Sequence, residues 1–477
     1  MELLKNKKVV FWIFVVTALI LLMPVFVRTS NNNPFISGRE TYYNIRMAEE
    51  IRENGIIEFD ELQERSYSFN LFHYLLAGLG FVDLQIIAKT LPFIFGMLFF
   101  FLAYKLLKRF DFPKEDIILT LFFILLTPVF ILVFTTLTKY GLVLLLNIAG
   151  FYFLTSKKQS LRNLSILLFA LIPLVDFFVF ILVFALLFIY VLSFKKRART
   201  IASSFILSLI FMLTAFLFFH YRITYFDFIT NGFAFRYFLT DFGALIGYSF
   251  FIFLLAITGF SFVWKKKKSL FIGLVVLALF IFSFFNAPLR VYLSFGFIFT
   301  AVLAFKYLLN KDWSLMMVKR VTLLLILCTL IFSMLSFMDR QFEEGPSQEF
   351  VDSLRALHTS TQRGTVLTHF SKGFYVEYFS EMPVVLDDIS NQYSGYEALL
   401  EDTSAIFQTR DLELAENYFI KNDVKFILVD EEMRTGLVWS RPQQGLLFLL
   451  ENSDRFVRLY SEDGIDIYLY KGVEENV

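Results

Sequence analysis

Only one cysteine, Cys328, occurs in 477 residues, and it lies inside an apolar run. A disulfide framework within the chain and a thiolate metal site are therefore excluded, because each needs further sulfurs. Histidine is nearly as scarce, and His73, His220, His358 and His369 show no spacing that metal ligands adopt. Charged residues make up just 18% of the chain, with 44 Lys and Arg against 43 Asp and Glu, a net charge of +1. That balance says nothing about nucleic acid. The basic residues instead cluster between apolar runs, where they report membrane topology. The chain also lacks internal repeats and low-complexity linkers.

Hydrocarbon fills the chain. A composition that is 57% hydrophobic with 65 Phe, arranged in recurring apolar runs of about 20 residues, describes a polytopic α-helical membrane protein. Lys5, Lys7 and Lys8 precede the first run, Val9 to Val27, and no small-residue cleavage site follows it, so it reads as an uncleaved span with its N-terminus inside. A long first external loop, 28–83, comes next. Leu84 to Leu107 returns to Lys108, Arg109 and Lys114, Ile117 to Phe134 exits, and Tyr140 to Leu154 re-enters toward Lys157, Lys158 and Arg162.

Leu164 to Phe194 is too long for one crossing, since about 31 residues at 1.5 Å each make a rod of roughly 46 Å against a hydrocarbon layer of about 30 Å. Basic clusters flank it on both sides, so it reads as a hairpin whose outer turn carries Pro173 and lifts Asp176 to the surface. Ile201 to Phe219, Phe242 to Trp264, Leu270 to Phe285, Val291 to Leu309 and Val321 to Met338 complete about eleven spans, with the N-terminus in and the C-terminus out. All dense Lys/Arg clusters then fall on one side.

From residue 339 the composition becomes that of a soluble α/β domain, 339–477, placed outside. Val366 to Phe370, Val384 to Leu386, Lys425 to Val429, Phe456 to Tyr460 and Ile465 to Tyr470 have strand character, while Glu349 to Leu357 and Leu412 to Ile420 have helical spacing. Residues 1–338 form the transmembrane domain.

Within the first external loop, Ser37 to Gly55 reads SGRETYYNIRMAEEIRENG. Tyr43, Met47 and Ile51 fall four apart on one helical face, with Glu49, Glu50, Arg52 and Glu53 elsewhere, the pattern of a helix lying along an interface. Asn54 and Gly55 stop it. Glu40, at its start, is the first candidate for a catalytic carboxylate. Ser37-x-x-Glu40 also spells a capping box, in which Glu40 satisfies a backbone donor, and the two roles are compatible.

The string Glu40 to Gly55 resembles the start of the first external loop in the C-type glycosyltransferase superfamily, most of all in oligosaccharyltransferase catalytic subunits. There an Asp precedes a Tyr-Tyr-His-Leu-Arg-like run, and here Glu40 precedes Tyr42, Tyr43, Asn44, Ile45 and Arg46. The long first loop, the many spans, Arg290 at an outer helix end in RVYLSF and the external α/β tail with its run NYFIKNDVKFILVD are similar as well. The resemblance implies a membrane glycosyltransferase that takes a sugar from a polyprenyl-phosphate-linked donor and passes it to a glycan, lipid or protein acceptor at the cell membrane, among membrane lipids. Glu40 then serves as the base, and Arg290, Arg222 and Arg236 meet the lipid phosphate. A divalent metal at Glu40 is compatible with the resemblance.

Two departures stand against a close match. The turn that corresponds to the superfamily's second acidic motif is Thr135, Thr136, Leu137, Thr138 and Lys139, without an acid. His369 to Gly373, HFSKG, occupies the place of a Trp-Trp-Asp-Tyr-Gly acceptor motif. Both argue against transfer to peptide asparagine and against a complete divalent-metal site. Each arginine also has a plain reading, Arg290 as an interface anchor and Arg222 and Arg236 as solvated loop residues. A second function class therefore stays open, a non-catalytic lipid-binding protein, flippase or transporter. Transporters set ionisable groups at mid-membrane depth, whereas here the charges gather at outer span ends.

Overall fold

The computed structural model describes residues 7–194, 197–218, 238–263, 276–284, 286–390, 393 and 395–472. In chain order these give α1 (Lys7–Ser30), α2 (Arg39–Asn54), the short strands β1 (Phe59–Asp60) and β2 (Arg65–Ser66), and α3 (Leu71–Gly78). There follow α4 (Leu84–Arg109), α5 (Lys114–Leu125), α6 (Pro128–Thr135), α7 (Lys139–Leu154), α8 (Gln159–Leu171), α9 (Phe177–Phe194), α10 (Ala198–Phe218) and α11 (Phe250–Val263). The last long helices are α12 (Ala287–Asn310) and α13 (Met316–Glu343). The chain divides into two compact units, one of Met1–Arg28, Ile51–Ile56 and Ser68–Glu344, the other of Thr29–Glu50, Ile57–Tyr67 and Gly345–Val477. Residue 339 thus marks a change of composition, while most of α2 and the β1–β2 pair belong to the same unit as the tail.

In the helical unit, the helices long and apolar enough to cross a membrane are α1, α4, α10, α12 and the helix that starts at Met316. They number five among the described residues, or six if α5 and α6 form one bent span. The shorter apolar helices α7, α8, α11 and the Phe177–Phe188 part of α9 coincide with further expected spans, and residues 270–275 and 285 of the expected span Leu270 to Phe285 lie outside the described residues.

Ile117 to Phe134 is not the straight span that its apolarity suggests. The helix stops at Leu125, restarts at Pro128 and bends by 65° between the two segments. Pro128 has no N–H to continue the first helix, and it suits the first turn of the second. Close backbone contact fixes another pairing. A Cβ on Gly259 would fall 1.8 Å from the Thr300 carbonyl oxygen, so glycine is what lets α11 and α12 meet. Lys306 and Asp116, 2.6 Å apart, tie α12 to α5.

The Leu164 to Phe194 stretch breaks where Pro173 and Asp176 predict. A 3₁₀ turn, Ile172–Leu174, separates α8 from α9, and an Asp176 carboxylate oxygen accepts the Val179 N–H at 3.1 Å. Within the protein this turn is packed over rather than open. Asp176 is 5% exposed, and the Lys139 ammonium stands 3.5 Å from its other oxygen. A buried carboxylate is tolerable when it is paired and hydrogen-bonded, so burial and the break coexist.

The second unit is a layered α/β fold. After α14 (Gln348–His358) come β3 (Thr365–Leu367), α15 (Gly373–Ser380), α16 (Tyr396–Gln408), α17 (Leu412–Lys421), β4 (Val424–Val429), α18 (Leu446–Asn452), β5 (Phe456–Glu462) and β6 (Ile465–Tyr470). The sheet order is β3-β4-β6-β5, with β3 and β4 parallel and the other pairs antiparallel. The period-two alternation of β4 splits its side chains. Ile427 and Val429 pack with Trp439, Phe419 and Leu446, while Phe426 and Leu428 pack with Val351, Leu354 and Val376. Both faces of the sheet are thereby covered. Phe35 and Tyr42 join the second of these clusters, carrying the start of α2 into the unit's core.

That burial corrects the reading of α2 as a helix lying along an interface. Thr41, Tyr42, Ile45, Met47 and Ala48 are each at most 2% exposed, and together they cover more than one stripe of the helix. Its Asn44 and Arg46 are buried too. Of the residues read as lying off the apolar face, Arg52 and Glu53 are exposed and Glu49 and Glu50 half-buried.

Candidate active site

Gly38, at φ +87°, turns the chain immediately before α2. The Gly38 carbonyl accepts the Thr41 N–H at 3.1 Å, and the Ser37 carbonyl accepts the Thr41 hydroxyl at 3.3 Å. Glu40 lies in this turn and is half-buried. A carboxylate at a helix N-terminus is stabilised as the anion by the helix dipole, the protonation state that a general base needs. Beside it in sequence, Arg39 binds the Asp388 carboxylate at 2.7 Å.

Farther along α2, Arg46 donates to both oxygens of Asp60, at 2.7 and 2.8 Å, and its outer nitrogen stands 3.0 Å from Glu377. Arg65 on β2 contacts Asp60 at 3.2 Å and Asp387 at 2.7 Å. Gln63 donates to Glu377 at 2.8 Å. Two guanidiniums and three buried carboxylates thus join α2, the β1–β2 pair, α15 and the loop at Asp387. Burial, reinforced by Asp387, drives the Glu377 carboxyl well above its usual range, with Arg46 pulling the other way. Asp60 goes down instead, because the Arg46 hydrogen bond and the two guanidinium charges outweigh its burial. The same network thus shifts the two carboxyls in opposite directions, Glu377 up and Asp60 down.

The HFSKG segment forms a short 3₁₀ turn, Phe370–Lys372. His369 Nδ1 accepts the Ser371 N–H at 3.3 Å and lies 2.8 Å from the Ser371 hydroxyl, which leaves Nε2 to carry the hydrogen of the neutral ring. Burial, with Arg39 and Lys372 nearby, lowers the imidazole to about 4, so it is neutral at physiological pH. The Lys372 ammonium is 2.9 Å from Asp430, and the ion pairs outweigh its burial to raise its pKa.

In the helical unit, Arg290 occupies the first turns of α12 and is 5% exposed. The Asn286 side chain caps this helix by accepting the Leu289 N–H at 2.9 Å. Lys139 begins α7, next to Asp176, and Tyr140 lies edge-on to Tyr292 at 6.3 Å. The hydroxyls of Thr138 and Tyr292 are buried and lack a hydrogen-bond partner among the described residues. This corner is polar, and its ammonium at the α7 N-terminus is paired with Asp176.

Of the residues singled out from the sequence, Glu40 falls in the second unit and Arg290 in the helical unit. Arg222 and Arg236 lie outside the described residues. The Arg46–Asp60–Glu377–Arg65–Asp387 network was not foreseen, since its members are scattered along the chain and no spacing links them. The one available signal was Arg46 within the ETYYNIR string itself. The Thr135 to Lys139 turn presents hydroxyls and an ammonium, and no group of three His, Cys, Asp or Glu among the described residues is arranged to hold an ion.

No protein-family model matches the chain, and no curated protein matches it. Solved structures do. The Archaeoglobus fulgidus oligosaccharyltransferase in its apo form superposes with a TM-score of 0.63 at 16% identity, over 98% of this chain and 75% of that one. Its complex with Zn and sulfate gives 0.61 at 16%, over 96% and 73%. ArnT from Cupriavidus metallidurans bound to undecaprenyl phosphate gives 0.54 at 12%, over 97% and 98%. The chain has the fold of the C-type membrane glycosyltransferases, as the Glu40 string and the layout of spans led one to expect.

Proposed function

We propose that this protein is a membrane glycosyltransferase that moves a sugar from a polyprenyl-phosphate-linked donor to an acceptor on the extracytoplasmic face of the cell membrane, with about eleven spans, N-terminus in and the 339–477 domain outside. The observation that carries the reading is the C-type glycosyltransferase fold running through nearly the whole chain, with Glu40 in the first turn of the first-loop helix. ArnT with undecaprenyl phosphate supports the donor class, and the oligosaccharyltransferase supports transfer to a larger acceptor.

In this scheme the Glu40 carboxylate takes the proton of an acceptor hydroxyl as that oxygen attacks the anomeric carbon. The bond from that carbon to the phosphate oxygen breaks, polyprenyl phosphate leaves and the configuration inverts. Arg290, Arg222 and Arg236 meet the charge that grows on the leaving phosphate, for which a guanidinium is the better bidentate partner. Lys139 adds a further cation at an outer helix start. The scheme routes no step through a metal. The HFSKG segment, with its neutral His369, replaces an acceptor motif built on an acidic residue, which favours an acceptor other than peptide asparagine.

A second reading, lipid binding without turnover, is favoured by Lys139 standing where the superfamily's second acid would be. The two are separated by incubating the purified protein in liposomes with polyprenyl-phosphate-linked sugars and following both bound lipid and released polyprenyl phosphate. Release coupled to an inverted glycosidic product supports the transferase. Stable binding of every donor with no release in the presence of acceptor extracts contradicts it.

A further inference from the structure

The Tyr152 to Lys158 turn after α7 gathers cations without acids. Arg109, at the end of α4, lies over the Tyr152 ring at 3.9 Å, donates to the Tyr152 carbonyl and reaches the Thr155 hydroxyl at 3.3 Å. Arg162 donates to the Lys157 carbonyl at 2.9 Å and to that of Ser156 at 3.3 Å, and Arg197 donates to the Ser156 carbonyl at 3.1 Å. Lys157 and Lys158 are exposed in the same turn. Among the described residues none of these five cations has a carboxylate partner within ion-pair distance, although Lys139, Lys306 and Arg46 elsewhere each have one.

An apolar groove of about 350 Å³ adjoins this turn between α4, α7 and α8. Leu98, Phe101, Leu146, Ala149, Phe153 and Leu164 are among its lining residues, and every lining residue is apolar. Phe153 follows Tyr152 directly, and Leu164 lies two residues beyond Arg162. Hydrocarbon space therefore continues straight into uncompensated positive charge. A ligand matching both needs an anionic head joined to an aliphatic tail.

We propose that this groove and turn form a binding site for one anionic glycerophospholipid of the bilayer, with a tail against Phe101, Ala149 and Phe153 and its phosphate among Arg109, Lys157, Lys158 and Arg162. The site shares no residue with those assigned to the sugar donor. Guanidiniums already fixed on backbone carbonyls are pre-positioned to receive a phosphate, which lowers the ordering cost of binding.

The test is native mass spectrometry of the purified full-length protein after equilibration with mixed micelles of phosphatidylglycerol and phosphatidylcholine carrying identical tails, with undecaprenyl phosphate as a competitor. The expected result is selective retention of one phosphatidylglycerol. The double variant Lys157→Gln/Lys158→Gln changes only exposed side chains and should reduce that selectivity about ten-fold or more. Ala149→Phe fills the groove and should reduce retention of the same lipid while thermal unfolding stays near wild type. Equal retention of the two phospholipids, selectivity unchanged in the lysine variant, or loss of the bound phosphatidylglycerol when undecaprenyl phosphate binds overturns the proposal.

Discussion

Arg46 grips Asp60 with both terminal nitrogens, at 2.7 and 2.8 Å, fourteen residues apart in the chain and both buried. This fork ties the helix that bears Glu40 to the β1–β2 pair, and Glu377 draws in the tail's α15. Removing one member of a buried ionic network strands its partners. Arg46→Ala should lower the stability of this unit by about 3–5 kcal/mol. Glu377→Gln preserves a neutral, hydrogen-bonding side chain beside Gln63 and should cost less than about 1 kcal/mol at neutral pH. Denaturant unfolding of the full-length protein, followed by a probe in the α/β unit, measures both. Equal losses would show that Glu377 is held as an anion.

Protonation should leave a signature. Asp60 is held below its usual range in the fold, so its contribution is present above the ordinary carboxylate pKa and is lost as the pH falls through its folded value. His369 works in the same direction. Its folded pKa of about 4 lies below the ordinary value of 6.5, so the unfolded chain binds the proton first and stability drops as the pH falls from about 6.5 toward 4. Glu377, raised in the fold, binds its proton more tightly when folded, so its contribution is fully present at low pH and is lost as the pH rises through its folded value. Thermal unfolding of His369→Gln between pH 4 and pH 7 should show a shallower slope than wild type. An identical slope would assign the acid sensitivity to the carboxylates alone.

How much of this was readable beforehand depended on whether a feature is local in sequence. The strand Ile465–Tyr470 and the helix beginning at Leu412 fall where alternation and helical spacing place them, because side-chain periodicity is set by neighbours along the chain. The fold itself was legible from the string beginning at Glu40 together with the layout of apolar runs. Burial of α2 was not, since its charged residues find partners such as Glu377 and Asp388 more than three hundred positions away. Nor was the bend at Pro128, where an apolar run concealed a break. Asp176 was recognised as a turn residue, but its partner Lys139 belongs to a different helix, and no one-dimensional pattern connects the two.

The Lys139–Asp176 pair gives a direct check of that point. Lys139→Met should destabilise the helical unit by leaving a carboxylate buried without its counter-charge, and adding Asp176→Asn should restore much of the loss. A double-mutant cycle on melting temperature in detergent reads the coupling. Additive losses would mean that the two side chains do not interact.

Arg290 is assigned to the leaving phosphate, so Arg290→Ala should weaken retention of polyprenyl phosphate by the purified protein and slow transfer about ten-fold or more. Arg290→Lys should recover binding only partly, because an ammonium lacks the guanidinium fork. Retention unchanged in both variants would reduce Arg290 to an interface anchor.

The central claim is that Glu40 is the base, and the most direct measurement is single-turnover transfer by Glu40→Gln alongside its binding of the lipid-linked donor. Turnover should fall by about 10²- to 10⁴-fold with donor binding within a few-fold of wild type. Glu40→Gln turning over at the wild-type rate would contradict the account.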